Sequence, residues 1–348
     1  MAKVEILTTL EDIRAIEPAW RELGLHFPNP LLQYEWFITC AEVLYRPEEV
    51  HVVALKQANR ISAIAPLAKI QRRYCQWLEI LGCSRLYEPT DFLYESEISL
   101  RQTLSVLIRL GCPLELGRIP IASPLIGKRS VEVDRHGVHV RRPGADSCTL
   151  YLDQEWGALW NHMRKSRRSD FRRIKRRAAD NGGFRMECIL PTVSQVKPLI
   201  AEAMEIEASG WKGTKGHCLN NDPMLQDFFI TYCRRMAESK ALYIFLLKLG
   251  DESVAVHIAV RYAEALWILK IGYKERMRHL SPGLFLTLET IRFAIEAGLR
   301  RYVFLGCHEE WQNIWPVECG QFGTKIFMPF SLNGIKAIRE LSTQWLQK

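Results

Sequence analysis

Apolar positions in the C-terminal half of the chain follow a strand period and then a helix period, and this order predicts a mixed α+β fold. Three consecutive apolar runs are separated only by short polar turns, which is typical of an antiparallel β meander. These runs are Ala241–Leu249, Ser253–Tyr262 and Ala265–Tyr273. Helical spacing predicts helices over Ser194–Ser209, over Asp222–Ser239 and after Ser281-Pro282-Gly283. Further strands are predicted at Phe184–Leu190, Arg301–Leu305 and Phe322–Met328.

The N-terminal half repeats the same order of elements without recognisable sequence identity. A strand at Val4–Leu7 is followed by two helices, at Thr9–Leu23 and Gln33–Leu44. A three-strand meander comes next, at Val50–Gln57, Ile61–Ile70 and Gln76–Leu81. A helix at Ser99–Leu110 and a short strand at Pro113–Leu116 end the series. Each half is thus predicted as β-α-α-β-β-β-α-β. The predicted domains are residues 1–145 and 146–348, joined around Arg142-Pro143-Gly144.

The net charge of +8 has a local origin. Residues 164–177 contain nine Lys or Arg and one acid, Asp170, and the rest of the chain is balanced. An apolar seam of Phe171, Ile174 and Ala178 predicts a basic linking helix over residues 164–180. Its polar face is either a solvated surface or a site for nucleotide phosphates, tRNA or an anionic membrane surface. The segment lacks the aromatic interleaving used to stack bases, which weighs against RNA.

Bulk composition predicts an ordinary globular protein of the cytoplasm. The hydrophobic share is 48% and the charged share 25%, and no apolar run reaches the ~18–20 residues that span a bilayer. The N-terminus lacks the layout of a signal peptide. The ten cysteines form no C-x-x-C pair, and several, such as Cys40, Cys188 and Cys233, have apolar neighbours. This pattern predicts reduced, buried thiols, with neither a disulfide framework nor a zinc site.

The junction before the last long helix has the features of an anion site. Ser281 suits the N-cap, Pro282 the first helical position, and Gly283 lets a bulky group approach the backbone. With Arg278 and His279 beside it, this helix start is predicted as a phosphate cradle. The alternative is a junction that binds nothing, which is common in α/β proteins.

The order of elements resembles the GNAT acyltransferase fold, and its duplication resembles tandem-GNAT proteins such as the Fem-type aminoacyltransferases. Several segments are similar to the CelD-like branch, which is linked to cellulose and exopolysaccharide biosynthesis; they are the basic segment, Val254–His257, Tyr273, Ser281-Pro282-Gly283, Gly298, Tyr302–Gly306 and Trp315. The chain departs from that branch at Lys274, where an acid is usual, and at Val303 and Trp311, whereas Ser281 and Pro282 depart from the loop pattern Arg/Gln-x-x-Gly-x-Gly/Ala of GNAT proteins in general.

The resemblance implies an acyl-CoA co-substrate, acetyl-CoA or longer, and no metal. It implies that the cofactor is bound by Arg278, His279, Ser281 and Gly283, and that the acceptor lies near Glu207, Trp211, Lys212, His308 and Glu309. His257 is the first candidate for the base, with a buried core histidine as the equal alternative. Tyr273 is the candidate that protonates the leaving thiolate, with packing at the strand end as its alternative.

The predicted function is therefore a cytoplasmic N-acyltransferase that moves an acyl group to an amine, on an amino sugar or small metabolite of cell-envelope polysaccharide biosynthesis. One alternative is a Fem-like transferase that uses aminoacyl-tRNA bound by the basic helix. The other is a non-catalytic accessory protein of a polysaccharide synthase.

Overall fold

The computed structural model describes residues 3–58, 60–126, 136–209 and 222–346, with side chains described up to residue 343. The chain divides into two compact units. The first unit combines Met1–Asp146 with Gly320–Lys348, and the second unit is Ser147–Cys319.

The first unit contains two β-sheets. One has the strand order β1-β2-β3-β6 and the other β4-β5-β7-β16-β8. The strands are β1 (Lys3–Leu7), β2 (Val52–Gln57), β3 (Arg60–Ala65), β4 (Leu67–Gln71), β5 (Gln76–Ile80), β6 (Leu93–Tyr94), β7 (Leu114–Pro120), β8 (Gly137–Pro143) and β16 (Phe322–Pro329). The helices are α1 (Leu10–Ala15), α2 (Glu17–Gly24), α3 (Tyr34–Val43), α4 (Cys83–Leu86), α5 (Glu97–Arg109) and α11 (Leu332–Leu346).

The predicted single strand Ile61–Ile70 is two strands in two different sheets. Ala65 pairs with Val53 in one sheet, whereas Leu67 pairs with Ile80 in the other. Pro66 stands between them and has no N–H for a sheet hydrogen bond, so the chain changes sheets there.

The tail of the chain belongs to the first unit, which corrects the predicted second domain of 146–348. Strand β16 lies between β7 and β8 and pairs antiparallel with both. Its Ile326 and Met328 pack with Trp77 and with Ala337 of α11 in one buried cluster. The predicted break near residue 145 lies next to the observed boundary, but the second unit ends at Cys319.

The second unit is built on one sheet with the order β10-β11-β12-β13-β14-β9-β15, in which β13 and β14 run parallel. Its strands are β9 (Ser147–Tyr151), β10 (Phe184–Ile189), β11 (Leu242–Leu249), β12 (Glu252–Tyr262), β13 (Ala265–Tyr273), β14 (Arg301–Phe304) and β15 (Glu318–Gly320). Its helices are α6 (Trp156–His162), α7 (Lys165–Ala179), α8 (Val193–Ala208), α9 (Pro223–Glu238) and α10 (Pro282–Glu296). The predicted meander and the helix after Ser281 are confirmed.

The predicted basic helix is confirmed as α7. Phe171, Ile174 and Ala178 are buried in the core of the second unit, where the Phe171 ring lies 6.2 Å from Trp160 and 6.0 Å from Trp315. Seven basic side chains point to solvent: Lys165, Arg167, Arg172, Arg173, Lys175, Arg176 and Arg177. The narrow seam therefore anchors the helix and leaves a wide cationic face exposed.

The cysteines depart from prediction in three places, one of which is the exposed thiol of Cys307. Cys148 and Cys319 form a disulfide, and Cys188 is exposed because β10 is an edge strand. Cys40 and Cys233 are free and buried, as predicted. Over the described part of the chain, no helix combines the length and apolarity needed to cross a bilayer.

Candidate active site

The candidate site opens where β13 and β14 separate. Only Ala265–Ile268 of β13 pairs with β14, and β13 then continues alone to Tyr273. The pairing of β12 with β13 shifts by one residue, so that Leu269 is an extra residue in β13, which bends a strand. The divergence lies beside a cavity of about 300 Å³.

The cavity brings together seven of the predicted site residues: Glu207, His257, Tyr273, Arg278, Ser281, Gly283 and Glu309. His279 is exposed on the neighbouring turn and is not part of the lining. His308 is also exposed and lies near the disulfide, with its Nε2 3.0 Å from Asn313 Oδ1. Trp211 and Lys212 lie outside the described residues. The functional roles of all these residues stay predictions.

The start of α10 forms one wall of the cavity. Ser281 has a left-handed backbone, with φ +46°, and its side chain makes no cap hydrogen bond. The predicted capping role is therefore wrong, because a capping residue normally has extended backbone. The first N–H groups of a helix have no carbonyl partner within it, and Pro282 supplies none. Gly283 and Leu284 thus offer the first backbone donors at the positive end of the helix dipole.

Two glycines set how closely the walls approach. A Cβ at Gly272 would lie 3.0 Å from the Cα of Glu207, so the glycine lets the end of α8 rest on β13. A Cβ at Gly283 would lie 3.1 Å from Cδ1 of Tyr273. Sequence reasoning singled out Gly283 and missed Gly272, although a glycine inside an apolar strand is itself a signal of close approach.

His257 is 1% exposed and takes part in a buried polar network. Its Nδ1 lies 3.3 Å from Thr290 Oγ1, which in turn lies 2.9 Å from the Tyr302 hydroxyl. Burial lowers the pKa of His257 to about 3. The imidazole is therefore neutral near neutral pH and a weak proton acceptor. Its assignment as the base stays a prediction.

This burial predicts a pH dependence of stability. The folded pKa of His257 is about 3, below the ordinary value of 6.5, so between these values the unfolded chain binds the proton and the folded chain does not. The contribution is complete above pH 6.5 and falls by up to ~1.4 kcal/mol per pH unit below it. Urea unfolding at pH 7 and pH 5 measures the free energy of unfolding. The loss on acidification should be smaller in His257→Gln than in the parent, and equal losses would refute the assignment.

Tyr273 keeps its proton in this setting. Burial and the nearby Glu275 carboxylate raise the pKa of its hydroxyl. Glu275 also lies 3.6 Å from Arg278, whereas Lys274 pairs with Glu252 at 2.5 Å. The acid that the sequence lacks directly after Tyr273 is thus supplied one residue later. The geometry suits a phenol that donates a proton.

The far wall of the cavity carries an aromatic residue that sequence reasoning did not place in the site. Trp311 lines the cavity, and its indole Nε1 donates a 2.8 Å hydrogen bond to the Glu309 carboxylate. Its ring packs edge-on against Phe304, with centroids 5.7 Å apart. The sequence had marked Trp311 only as a departure from the CelD-like branch.

Comparison with known proteins places this site in a described domain type. Residues 165–313 match the acetyltransferase (GNAT) domain family. This stretch contains the cavity, the start of α10 and the basic helix. No curated protein sequence matches the chain.

Solved structures show the fold of the whole chain. The chain is similar to FemX, with a TM-score of 0.61 at 12% identity over 97% of this chain and 99% of that one. It is similar to L-PGS from Bacillus licheniformis, with a TM-score of 0.54 at 14% identity over 90% of this chain and 96% of that one. It is also similar to a tandem GNAT protein from the clavulanic acid biosynthesis pathway, with a TM-score of 0.50 at 9% identity over 94% of this chain and 98% of that one. The chain has the predicted tandem GNAT fold, and the match to the acetyltransferase (GNAT) domain family lies within its second unit.

Proposed function

We propose that the second unit transfers an acyl group from acyl-CoA to the amino group of a sugar or other small metabolite used in cell-envelope polysaccharide synthesis. The observation that carries this proposal is the meeting, in one cavity, of a helix N-terminus, a protonated phenol and a buried carboxyl group. These are Gly283, Tyr273 and Glu207. GNAT proteins use acyl-CoA as co-substrate.

The residues present suit a CoA ester. The diphosphate would accept hydrogen bonds from the N–H groups of Gly283 and Leu284, with added attraction from Arg278. The absence of a side chain on Gly283 keeps this approach open beside Tyr273. The thioester would then lie in the divergence between β13 and β14, near Gly272.

The chain's own groups supply the two proton transfers. As the amine nitrogen bonds to the acyl carbon, the Glu207 carboxylate accepts the proton that the amine loses. The C–S bond then breaks, and the Tyr273 hydroxyl gives its proton to the departing thiolate. His257 stays neutral and orients Thr290 through the buried network.

The acceptor side of the cavity supports an amino sugar. Glu309 and Glu207 provide carboxylates for an ammonium group or for hydroxyl donors, and the Trp311 indole offers a flat apolar face. Carboxylates beside an aromatic ring suit a cationic, hydroxyl-rich ligand. The likeness of the sequence to the CelD-like branch points to the same acceptor class.

Calorimetry with acyl-CoA tests this function. We expect acetyl-CoA or a longer acyl-CoA to bind the full chain, and Arg278→Gln to weaken binding about tenfold through loss of a charged contact. Arg292→Gln is the matched control, since Arg292 is an exposed arginine that pairs with Glu296 further along α10 and is not part of the cavity lining. The proposal fails if acyl-CoAs of every chain length give no heat and no thermal shift.

For the basic face of α7 we propose an anionic membrane surface as the partner. The exposed residues of this helix are cationic or small, with no exposed aromatic among them, so phosphate attraction is favoured over base stacking. Each Lys or Arg near an anionic surface contributes ~1 kcal/mol.

Vesicle sedimentation distinguishes an anionic membrane surface from tRNA as the partner of this basic face. Changing Arg172, Arg173 and Arg176 to Glu should lower partition onto phosphatidylglycerol vesicles at least ~100-fold at low salt. The control changes Arg234, Arg292 and Arg300 to Glu, which are exposed elsewhere on the second unit. Retention of tRNA without vesicle binding would instead support the Fem-like alternative.

The alternative of a non-catalytic accessory protein would be supported if His257→Ala and Tyr273→Phe left the cellular phenotype intact.

A further inference from the structure

Two cysteines and a histidine meet at the edge of the sheet of the second unit. Cys148 is buried on β9, Cys319 is exposed on β15, and His308 is exposed in the segment between β14 and β15. One candidate ligand atom from each lies within 4.8 Å of the other two.

We propose that Cys148, Cys319 and His308 bind Zn²⁺ when the two thiols are reduced, with water as the fourth ligand. Two thiolates and one imidazole are a ligand set that suits Zn²⁺ better than the hard cations. Zn–S and Zn–N bonds of about 2.3 and 2.0 Å place such atoms roughly 3.5–3.8 Å apart, so the two sulfur atoms, which are bonded to each other in the disulfide, must move apart after reduction to bind the ion.

Asn313 supplies the supporting contact that a histidine ligand needs. The Nε2 of His308 lies 3.0 Å from Asn313 Oδ1, so an Nε2–H donated to this oxygen leaves a lone pair on Nδ1. Ligating histidines usually donate their second nitrogen in this way, which fixes the ring and its tautomer.

The disulfide and the metal site are alternative states of the same thiols. A dithiol reductant transfers two electrons and two protons to the disulfide and itself becomes a disulfide. The two thiols then lose their protons as they bind Zn²⁺. A disulfide oxidant takes up the two electrons in the reverse step and becomes a dithiol, and the bond that re-forms between Cys148 and Cys319 removes both sulfur ligands and releases the ion.

Both the disulfide and the proposed zinc site connect the two ends of the segment between β14 and β15. Cys148 pairs in register with Phe304, where the segment leaves β14, and is bonded to Cys319, where it enters β15. Glu309 and Trp311, which line the cavity, lie between these points. The ion therefore holds the far wall of the cavity in place after the disulfide is reduced.

Zinc binding by the reduced full chain tests the proposal. We expect one Zn²⁺ per chain, and Co²⁺ in its place should give a thiolate-to-cobalt absorption band. Because His308 is a ligand in the metal state alone, His308→Ala should weaken Zn²⁺ binding by at least ~100-fold. The same variant should still form the disulfide on oxidation, which reports an intact fold. Cys319→Ser should lose the cobalt–sulfur band.

The exposed thiol on β10 provides the matched control. Cys188→Ser should bind Zn²⁺ as the parent does, because Cys188 lies outside the cluster. The proposal is overturned if the reduced chain takes up no stoichiometric Zn²⁺, or if His308→Ala binds it as tightly as the parent. Binding that is lost with Cys307→Ser and retained in His308→Ala would also overturn it.

Discussion

Replacing Glu207 by Gln is expected to lower kcat for acyl transfer by about 10²- to 10⁴-fold, the usual range for loss of a general base. Glu207 is 5% exposed and reaches the cavity from the end of α8. Glutamine keeps its shape but cannot accept the proton that the amine loses. Since the carboxylate acts on the acceptor, acyl-CoA affinity should change less than about threefold.

Steady-state kinetics with an amine acceptor, beside calorimetry with acyl-CoA, measures both quantities. Glu205→Gln is the matched control, because Glu205 lies on the same helix and is exposed. A kcat for Glu207→Gln within about threefold of the parent would refute Glu207 as the base. The assignment would then pass to His257, whose burial disfavours the charged imidazole.

Replacing Gly272 by Ala should damage both stability and catalysis. The new Cβ would lie 3.0 Å from the Cα and 3.2 Å from the backbone N of Glu207. Backbone cannot rotate aside, so the end of α8 must move, and overpacking of this kind costs about 1–3 kcal/mol. The same movement displaces the Glu207 carboxylate, and a shift of about 1 Å lowers the rate by about 10²-fold.

Urea unfolding and kcat measure the two effects of Gly272→Ala. Gly157→Ala is the control, because a Cβ there meets nothing within 4 Å. The control should match the parent or gain slightly through helix propensity. If Gly272→Ala unfolds at the same urea concentration as the parent and retains its kcat, the close approach of α8 to β13 is not needed.

The parts of the fold that sequence predicted are those with local signals. The meander of the second unit is marked by apolar runs and two-residue turns, and α10 by Pro282 at its start. The order of elements in this unit followed from these signals. The tail at Phe322–Pro329 was assigned to the wrong unit because its partners, β7 and β8, are distant in sequence.

The sequence predicted most of the residues that meet at the candidate site, but not their burial or their backbone conformation. Seven predicted residues meet in the cavity because the topology brings the ends of α8 and β13, the turn before α10 and the start of that helix next to the middle of β12 and the segment after β14. The burial of His257 depends on the helix and strand that cover it, Thr290 and Tyr302 among them, and no local pattern reports that. The left-handed backbone of Ser281 and the pairing of Cys148 with Cys319 likewise depend on contacts formed only after folding.

The position of β16 has a consequence for the order in which the protein is made. This inner strand of the first unit follows the whole of the second unit along the chain. During synthesis the N-terminal segment emerges before β16, so the edges of β7 and β8 that pair with β16 are open. The sheet is completed only after residues 147–319 and then β16 have been made. The second unit is continuous in sequence, so it is synthesised in full before β16. Open strand edges pair readily with other chains, so the nascent N-terminal segment is the stage most exposed to aggregation.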